Sequence, residues 1–380
     1  MNKFKVLFFS YNKEVEVEAG ENLIRAGIMA GVHINASCGG EGVCGKCRVI
    51  VEQGTVEGGI TEMLSEEEVQ KGYRQACLAK IISDLVVRIP TESAISDKVL
   101  NMPITRRRTA SIKQMNLNDL KEKGLFTPPV EKIYLELPEP SSEDNLPDIT
   151  RLISYLKLRH DEHRLEIDLS VIRKIPDVLR QEGFKVTATL ARPVHENSKT
   201  HIINMQPGDT TERNYAIAVD VGTTTVYGQV LDLISGEVLA QYGDFNAQIS
   251  YGEDIISRLV YAEKPGGLDT LNESILKTVN KVIQKILSKS GIDADDVSTI
   301  TLAGNTTMSQ LLIKVNTRYI RRSPYVPACT LYPPLRAPDV GFGLGQHVTA
   351  LFYPAISSYV GGDIVAGVMG SMMYRAEELT

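Results

Sequence analysis

The chain opens on a short apolar run, Phe4 to Phe9, followed by the alternation Glu14-Val15-Glu16-Val17-Glu18. Period-two spacing of this kind predicts two strands, over 3–9 and 14–18, around a turn at Tyr11-Asn12-Lys13. Residues 21–30 then switch to helical apolar spacing, with Gly31 as the stop. A strand over 48–52, a short acidic helix over 62–71 and a strand over Leu85-Val86-Val87-Arg88-Ile89 complete a first unit. From Pro90 to Pro129 the periodicity fails, with Arg106-Arg107-Arg108 and Pro128-Pro129 punctuating polar sequence, which reads as a linker. Patterning returns with a strand at Ile133-Tyr134-Leu135-Glu136-Leu137, helices over 147–160 and 170–182, and strands from Phe184 to Leu190 and His201 to Met205. A third unit begins at Asn214 with two apolar strands, the second running from Val226 to Leu233 into a hairpin turn at Ser235-Gly236. A helix over 267–290 and an apolar strand leading into an apolar helix near Thr306 follow. The predicted organisation is 1–92, a linker 93–129, a small α/β middle domain 130–206 and a further domain 213–380.

Composition changes this picture little. At 380 residues, 43% apolar and 23% charged, the chain has the make-up of an ordinary globular protein with room for large cores. A net charge of −6 argues against nucleic acid as a partner, because phosphate backbones select basic surfaces. Phe4 to Phe9 is too short for a signal-peptide core. Ile356 to Tyr374 is nearly uncharged, but Asp363 and Gly361, Gly362, Gly367 and Gly370 interrupt it, so a packed loop and helix is expected rather than a membrane span. A cytoplasmic location without membrane contact is the expectation.

The cysteines carry the first chemistry. Cys38-Gly39-Gly40-Glu41-Gly42-Val43-Cys44-Gly45-Lys46-Cys47 has the spacing C-x5-C-x2-C, and a distant Cys77 follows in Arg74-Gln75-Ala76-Cys77-Leu78. Three thiolates on one loop and a fourth from elsewhere are the ligand set of one [2Fe–2S] cluster, here Cys38, Cys44, Cys47 and Cys77. The glycines let the loop adopt positive φ and aim N–H groups at sulfur. A zinc site would use two C-x2-C pairs, and only Cys44 and Cys47 are so spaced. With strand, strand, helix, loop, strand and late Cys, the first unit predicts a β-grasp ferredoxin. Cys329 is left over and is expected to be a buried small apolar residue. A flexible linker after such a domain would let the cluster swing between donor and acceptor. The Arg106–Arg108 run is read as a solvated linker charge rather than a docking site.

The third unit carries the second chemistry. Tyr215-Ala216-Ile217-Ala218-Val219-Asp220-Val221-Gly222-Thr223-Thr224-Thr225 is an apolar strand that ends in Asp, then Gly and three Thr. Asp220 at a strand end can face Mg²⁺ or its water, Gly222 permits close approach, and Thr223, Thr224 and Thr225 offer N–H and hydroxyl groups to phosphate oxygens. Unlike a Walker A loop it has no Lys, and it leads into a strand; an ordinary hairpin with a Thr-rich turn is the alternative. Ala303-Gly304-Asn305-Thr306-Thr307 closes another apolar strand, with Gly304, Asn305 and Thr306 as further candidates; Asn305 orients water or substrate, or caps the helix. Glu253 and Asp254 are open between general base and helix cap. His160, His163, His195 and His201 are not at ligand spacing.

The Asp220 loop resembles the first phosphate loop of the acetate and sugar kinase, Hsp70 and actin superfamily. The whole order (C-x5-C-x2-C ferredoxin, linker, small domain, Asp220 loop, Asn305 loop and Gly361-Gly362-Asp363) resembles the reductive activators of corrinoid proteins. That resemblance implies ATP with Mg²⁺ as a second cofactor. It also implies a methyltransferase-associated corrinoid protein as partner, reduced from Co(II) to Co(I) by one electron with ATP driving the uphill step. A low-potential electron donor is required, and a dimer is the assembly entertained. The superfamily has two related halves, each with a phosphate loop. Here only the Asp220 loop is found, Gly361-Gly362-Asp363 having the wrong order, so the expectation is a partial, actin-like ATPase domain. Competing readings are a plain electron-transfer module whose ATPase half only docks, and a ferredoxin-fused flavin reductase, for which no Gly-x-Gly-x-x-Gly follows a strand.

Overall fold

The computed structural model describes residues 3–32, 34–35, 42–90, 93, 122, 128–192, 198–371 and 373–375. Most of the expected linker, with Arg106 to Arg108, lies outside them, as do His195 and Cys38 with Gly39, Gly40 and Glu41.

In the first unit β1 (Lys3–Phe8) pairs antiparallel with β2 (Lys13–Glu18) and parallel with β7 (Leu85–Arg88). β3 (Arg48–Gln53) joins β7 to β5 (Tyr73–Gln75), giving the order β2-β1-β7-β3-β5. Alternation puts Val6, Phe8 and Val87 inside, where α1 (Leu23–Met29) covers them with Leu23, Ile24 and Ala26. Asn22 caps α1 through Arg25 N, and α2 (Glu66–Gln70) starts with a capping box of Ser65 and Glu68. The small pair β4 (Val56–Gly58) and β6 (Ala79–Ile81) is new relative to the sequence reading, being too short for periodicity to register. The β-grasp expectation holds.

The middle unit is a four-stranded sheet in the order β8-β10-β11-β9, from β8 (Val130–Glu136), β9 (Leu165–Ile167), β10 (Lys185–Ala191) and β11 (Thr200–Pro207). Helices α3 (Asp148–His160) and α4 (Leu169–Gln181) bury Leu152, Leu156, Val171, Ile175 and Leu179 against it.

The third unit has six strands ordered β14-β13-β12-β15-β17-β16, namely β12 (Tyr215–Val221), β13 (Thr225–Asp232), β14 (Val238–Phe245), β15 (Val297–Gly304), β16 (Leu335–Arg336) and β17 (Thr349–Phe352). β12, β13 and β14 form an antiparallel meander, while β12, β15 and β17 run parallel. This places the ends of β12 and β15 side by side, with Asp220 opposite Ala303 and Val221 opposite Gly304. The long α6 (Gly267–Ser290) packs Leu271, Ile275, Val279, Val282 and Ile286 into the sheet. Shorter helices are α5 (Ile255–Ala262), α7 (Thr306–Leu312), α8 (Ala337–Val340) and α9 (Gly362–Ser371). The fold class is thus a β-grasp domain, a small α/β domain and a larger α/β domain on a six-stranded mixed sheet.

Two expectations are corrected. The stretch after Ile356 does form a helix, but α9 buries only Gly362, and Ile364 and Met369 are exposed, because no described element covers its outer face. Cys329 is half-buried rather than buried. No helix among the described residues is long and apolar enough to cross a membrane.

A buried polar network joins the middle and third units. Lys132 Nζ lies 3.2 Å from Asp296 Oδ1, Gln206 Nε2 donates to the same oxygen at 3.0 Å, and Arg213 Nε is 3.3 Å from Oδ2. Burial pulls the Lys132 ammonium down in pKa while Asp296 pushes it up. On the other side α1 rests on the turn Ala247–Tyr251, with Ile28 touching both cores.

Candidate functional site: a thiol loop and a phosphate loop

Cys44 and Cys47 sit on the loop before β3, and Cys77 follows β5. Ala76 N–H donates to Cys47 O at 2.9 Å, tying the two segments together. Cys47 Sγ and Cys77 Sγ lie 3.3 Å apart, both buried, near enough to ligate one iron. The hydrogen bond with Cys77, helped by backbone donors and opposed by burial, brings the Cys47 thiol down to about 7, toward the thiolate that iron requires. Gly42 and Gly45 have φ of +78° and +66°, a backbone conformation that strains any residue with a Cβ. Gln75 is wholly buried beside this loop, and neither its Oε1 nor its Nε2 has a partner among the described residues. Two thiols in contact and an orphaned amide fit a group that binds thiolates and accepts hydrogen bonds, as an iron–sulfur cluster does. Among the described residues no three acidic, Cys or His side chains gather into one group: Cys47 and Cys77 meet, Cys44 stands half-buried on the same loop, and Cys38 lies outside the described residues.

In the third unit the structure brings together the ends of β12 and β15 and the start of α9. Asp220 points to the open side; the protein around it desolvates the carboxyl and the charge of Asp363 adds to this, so its pKa is raised. Of the two readings for Asn305 the structure shows the cap: its Oδ1 caps α7 through Met308 N at 2.9 Å, while its Nδ2 donates to Thr223 Oγ1 at 3.2 Å. Gly222 is required because a Cβ would stand 2.5 Å from Thr225 O, whereas at Gly304 a Cβ would make a tight 3.0 Å contact with Val221 O. Thr224 is exposed at the tip, whereas Thr225 already belongs to β13. Thr306 is placed otherwise than expected: it is buried, and its hydroxyl donates to Ser357 O at 2.6 Å. Asp254 proves to be the cap of α5, through Ser257 N at 2.9 Å, and Glu253 pairs with Lys46 of the thiol loop at 3.3 Å.

The sequence singles out Asp363 in Gly361-Gly362-Asp363, but not as a neighbour of Asp220. Two residues here escaped sequence reading. Asn246 and Arg258 are buried side chains behind the phosphate loop, and nothing in their local sequence marks them. A separate cavity of about 740 Å³ lies between the middle unit and the β16–β17 edge, and the candidate residues are not among those that line it.

Fold and site together define a ferredoxin-type domain joined to mixed α/β domains. Residues 9–81 match the 2Fe-2S iron-sulfur cluster binding domain, residues 119–212 the RACo linker region and residues 215–376 the RACo middle region. The chain is 27% identical over 369 residues to the corrinoid activation enzyme RamQ of Eubacterium limosum, covering 96% of this chain and 55% of that protein. It is 31% identical to a solved structure, the reductive activator for corrinoid, iron-sulfur protein, with a TM-score of 0.61 over 99% of this chain and 59% of the other. Its first unit alone is 35% identical over 82 residues to a component of the Na(+)-translocating NADH-quinone reductase of Neisseria meningitidis, covering 21% of this chain and 20% of that one. Nearly the whole chain is thus similar to a corrinoid activation enzyme and to a reductive activator for corrinoid, iron-sulfur protein, and it spans a little over half the length of each.

Proposed function

We propose that this chain is the cluster- and nucleotide-binding portion of an ATP-dependent reductive activator that returns a methyltransferase-associated corrinoid protein from Co(II) to Co(I). The likeness of nearly the whole chain to the reductive activator for corrinoid, iron-sulfur protein carries this reading. Cys38, Cys44, Cys47 and Cys77 hold the [2Fe–2S] cluster, which when bound supplies one-electron transfer. Burial of Cys47 and Cys77 excludes water from that site. Asp220, Gly222, Thr223, Thr224, Thr225, Gly304 and Asn305 form the phosphate end of a site for ATP with Mg²⁺; Thr306 contributes through its backbone at the start of α7. The raised pKa of Asp220 marks a carboxylate whose charge a divalent cation would relieve. The partners are a corrinoid protein and a low-potential donor, and the location is cytoplasmic.

The test is anaerobic. Cluster-loaded protein, a Co(II) corrinoid protein and a mild reductant are mixed with ATP, ADP or no nucleotide, and Co(I) absorbance is followed. ATP-dependent growth of Co(I) is expected. Co(I) formation that ignores nucleotide would sink the ATP-coupled reading in favour of a plain electron carrier, and no Co(I) at all, with a cluster that still cycles, would reject reductive activation by these residues.

A further inference from the structure

Arg258, on α5, is the largest fully buried side chain of the described residues, and it lies directly behind the phosphate loop. Its Nη2 donates to Thr223 O at 2.5 Å, its Nε to Gly252 O at 2.8 Å and its Nη1 to Gln248 Oε1 at 3.1 Å, with Met308 Sδ at 3.2 Å. No carboxylate among the described residues pairs with it; Asp254, the cap of its own helix, acts only through space. The guanidinium is consequently pulled down to about 10 by burial. A buried cation without a counter-ion is costly, and a position that needed only filling would be better served by an apolar residue.

The loop backbone explains what the cation does. In a trans peptide the carbonyl of one residue and the N–H of the next point in opposite directions. Asn246 Nδ2 holds Gly222 O at 2.9 Å, Arg258 holds Thr223 O, and Asn246 N–H holds Thr224 O at 2.9 Å. With these carbonyls drawn inward, the N–H groups of Thr223 and Thr224 face outward, and neither donates to another group among the described residues. Successive outward N–H groups backed by a positive charge form an anion-binding concavity.

We propose that Arg258 is a positioning residue for a phosphate group of the nucleotide: it fixes the Thr223 peptide so that the loop N–H groups face the phosphate, and its own unbalanced charge is compensated when that anion binds. The proposal rests on the nucleotide reading of the Asp220 loop.

The cluster-loaded 380-residue chain, as wild type, R258K and R258Q, is titrated with ATP and Mg²⁺, and separately with inorganic phosphate, and the thermal shift of each is taken from its own ligand-free midpoint. The expected order of affinity is wild type, then R258K, then R258Q, with R258Q weaker by about tenfold or more, the scale of losing a charge-assisted interaction. A purely structural Arg258 would lower the midpoint of R258Q equally with and without ligand and leave the affinity unchanged, which overturns the proposal while the nucleotide reading stands. Wild type that binds neither probe overturns both. Should R258Q fail to fold, the wild-type Arg258 guanidinium NMR signals, assigned by their loss in R258K, decide: they must shift on phosphate addition, and signals that stay put reject the idea.

Discussion

The thiol loop and the phosphate loop are both glycine-bearing turns in contact with strand ends, yet they are held by different means. Cys44 and Cys47 share one loop, and Cys77 arrives from the strand that pairs with the next segment, so the thiol site is short in sequence and needs little outside its own domain. The Asp220 loop is held by Asn246, Arg258 and Asn305, all outside the hairpin that carries it. A covalent ligand set can be written locally, whereas a loop that must present N–H groups to an anion needs something behind it to turn its carbonyls inward. The segment behind the Asp220 loop also meets the thiol loop: Lys46, between Cys44 and Cys47, pairs with Glu253, which neighbours the Gly252 carbonyl that Arg258 holds.

The difference can be broken at several points. The largest effect is expected from Cys77→Ser, which removes a ligand and should take bound iron from about two per chain to near none while leaving ATP binding in place; iron analysis and visible absorbance measure it, and retained iron would remove Cys77 from the ligand set. Next comes Gly361→Ala. Its Cβ would stand 2.4 Å from Asn305 Cα and 2.7 Å from Thr306 N, both backbone, so about 1–3 kcal/mol of stability should be lost in urea titrations, along with nucleotide affinity and with the cluster intact.

Asp220→Asn should act in the opposite sense on stability. The folded pKa of Asp220 is raised above its ordinary 3.8, so the protonated form favours folding below that value and the benefit is lost as pH rises through the folded pKa. At neutral pH the charged carboxylate therefore destabilises the ligand-free protein. D220N should melt higher than wild type there, with the gap closing as pH falls toward about 4, and should lose Mg²⁺-dependent ATP binding. A lower melting point for D220N at neutral pH would contradict the assignment. The smallest effect is expected from Lys46→Glu. The ion pair is about half exposed on both sides, so under about 1 kcal/mol is at stake and salt should erase it. A clear shift in the cluster's midpoint potential on this substitution, reversed by adding E253K, would mean that the contact between the thiol loop and the start of α5 counts for more than its energy.

What could be read in advance follows the same division. The β1–β2 hairpin, α1, the long α6 and the Gly-Thr turn after β12 were legible because period, caps and turn residues are properties of neighbours in the chain. β4, β6 and β9 were too short to show a period, and β14 is a half-exposed edge strand whose residues do not alternate. Arg258 in Ile-Ile-Ser-Arg-Leu-Val reads as a charge on a helix surface; only the packing of α5 against the loop makes it a buried cation.

By itself, then, the sequence marked the candidate atoms: three thiols at C-x5-C-x2-C spacing with a fourth 30 residues beyond Cys47, and an Asp-x-Gly-Thr turn at a strand end, patterns written in the order of residues along the chain. The tertiary structure alone decided how those atoms are poised. It set Cys47 against Cys77, turned the carbonyls of residues 222–224 toward Asn246 and Arg258, and brought Asp363 within reach of Asp220. Desolvation, uncompensated charge and backbone orientation arise only when distant segments pack, which is why none of them is visible along the chain.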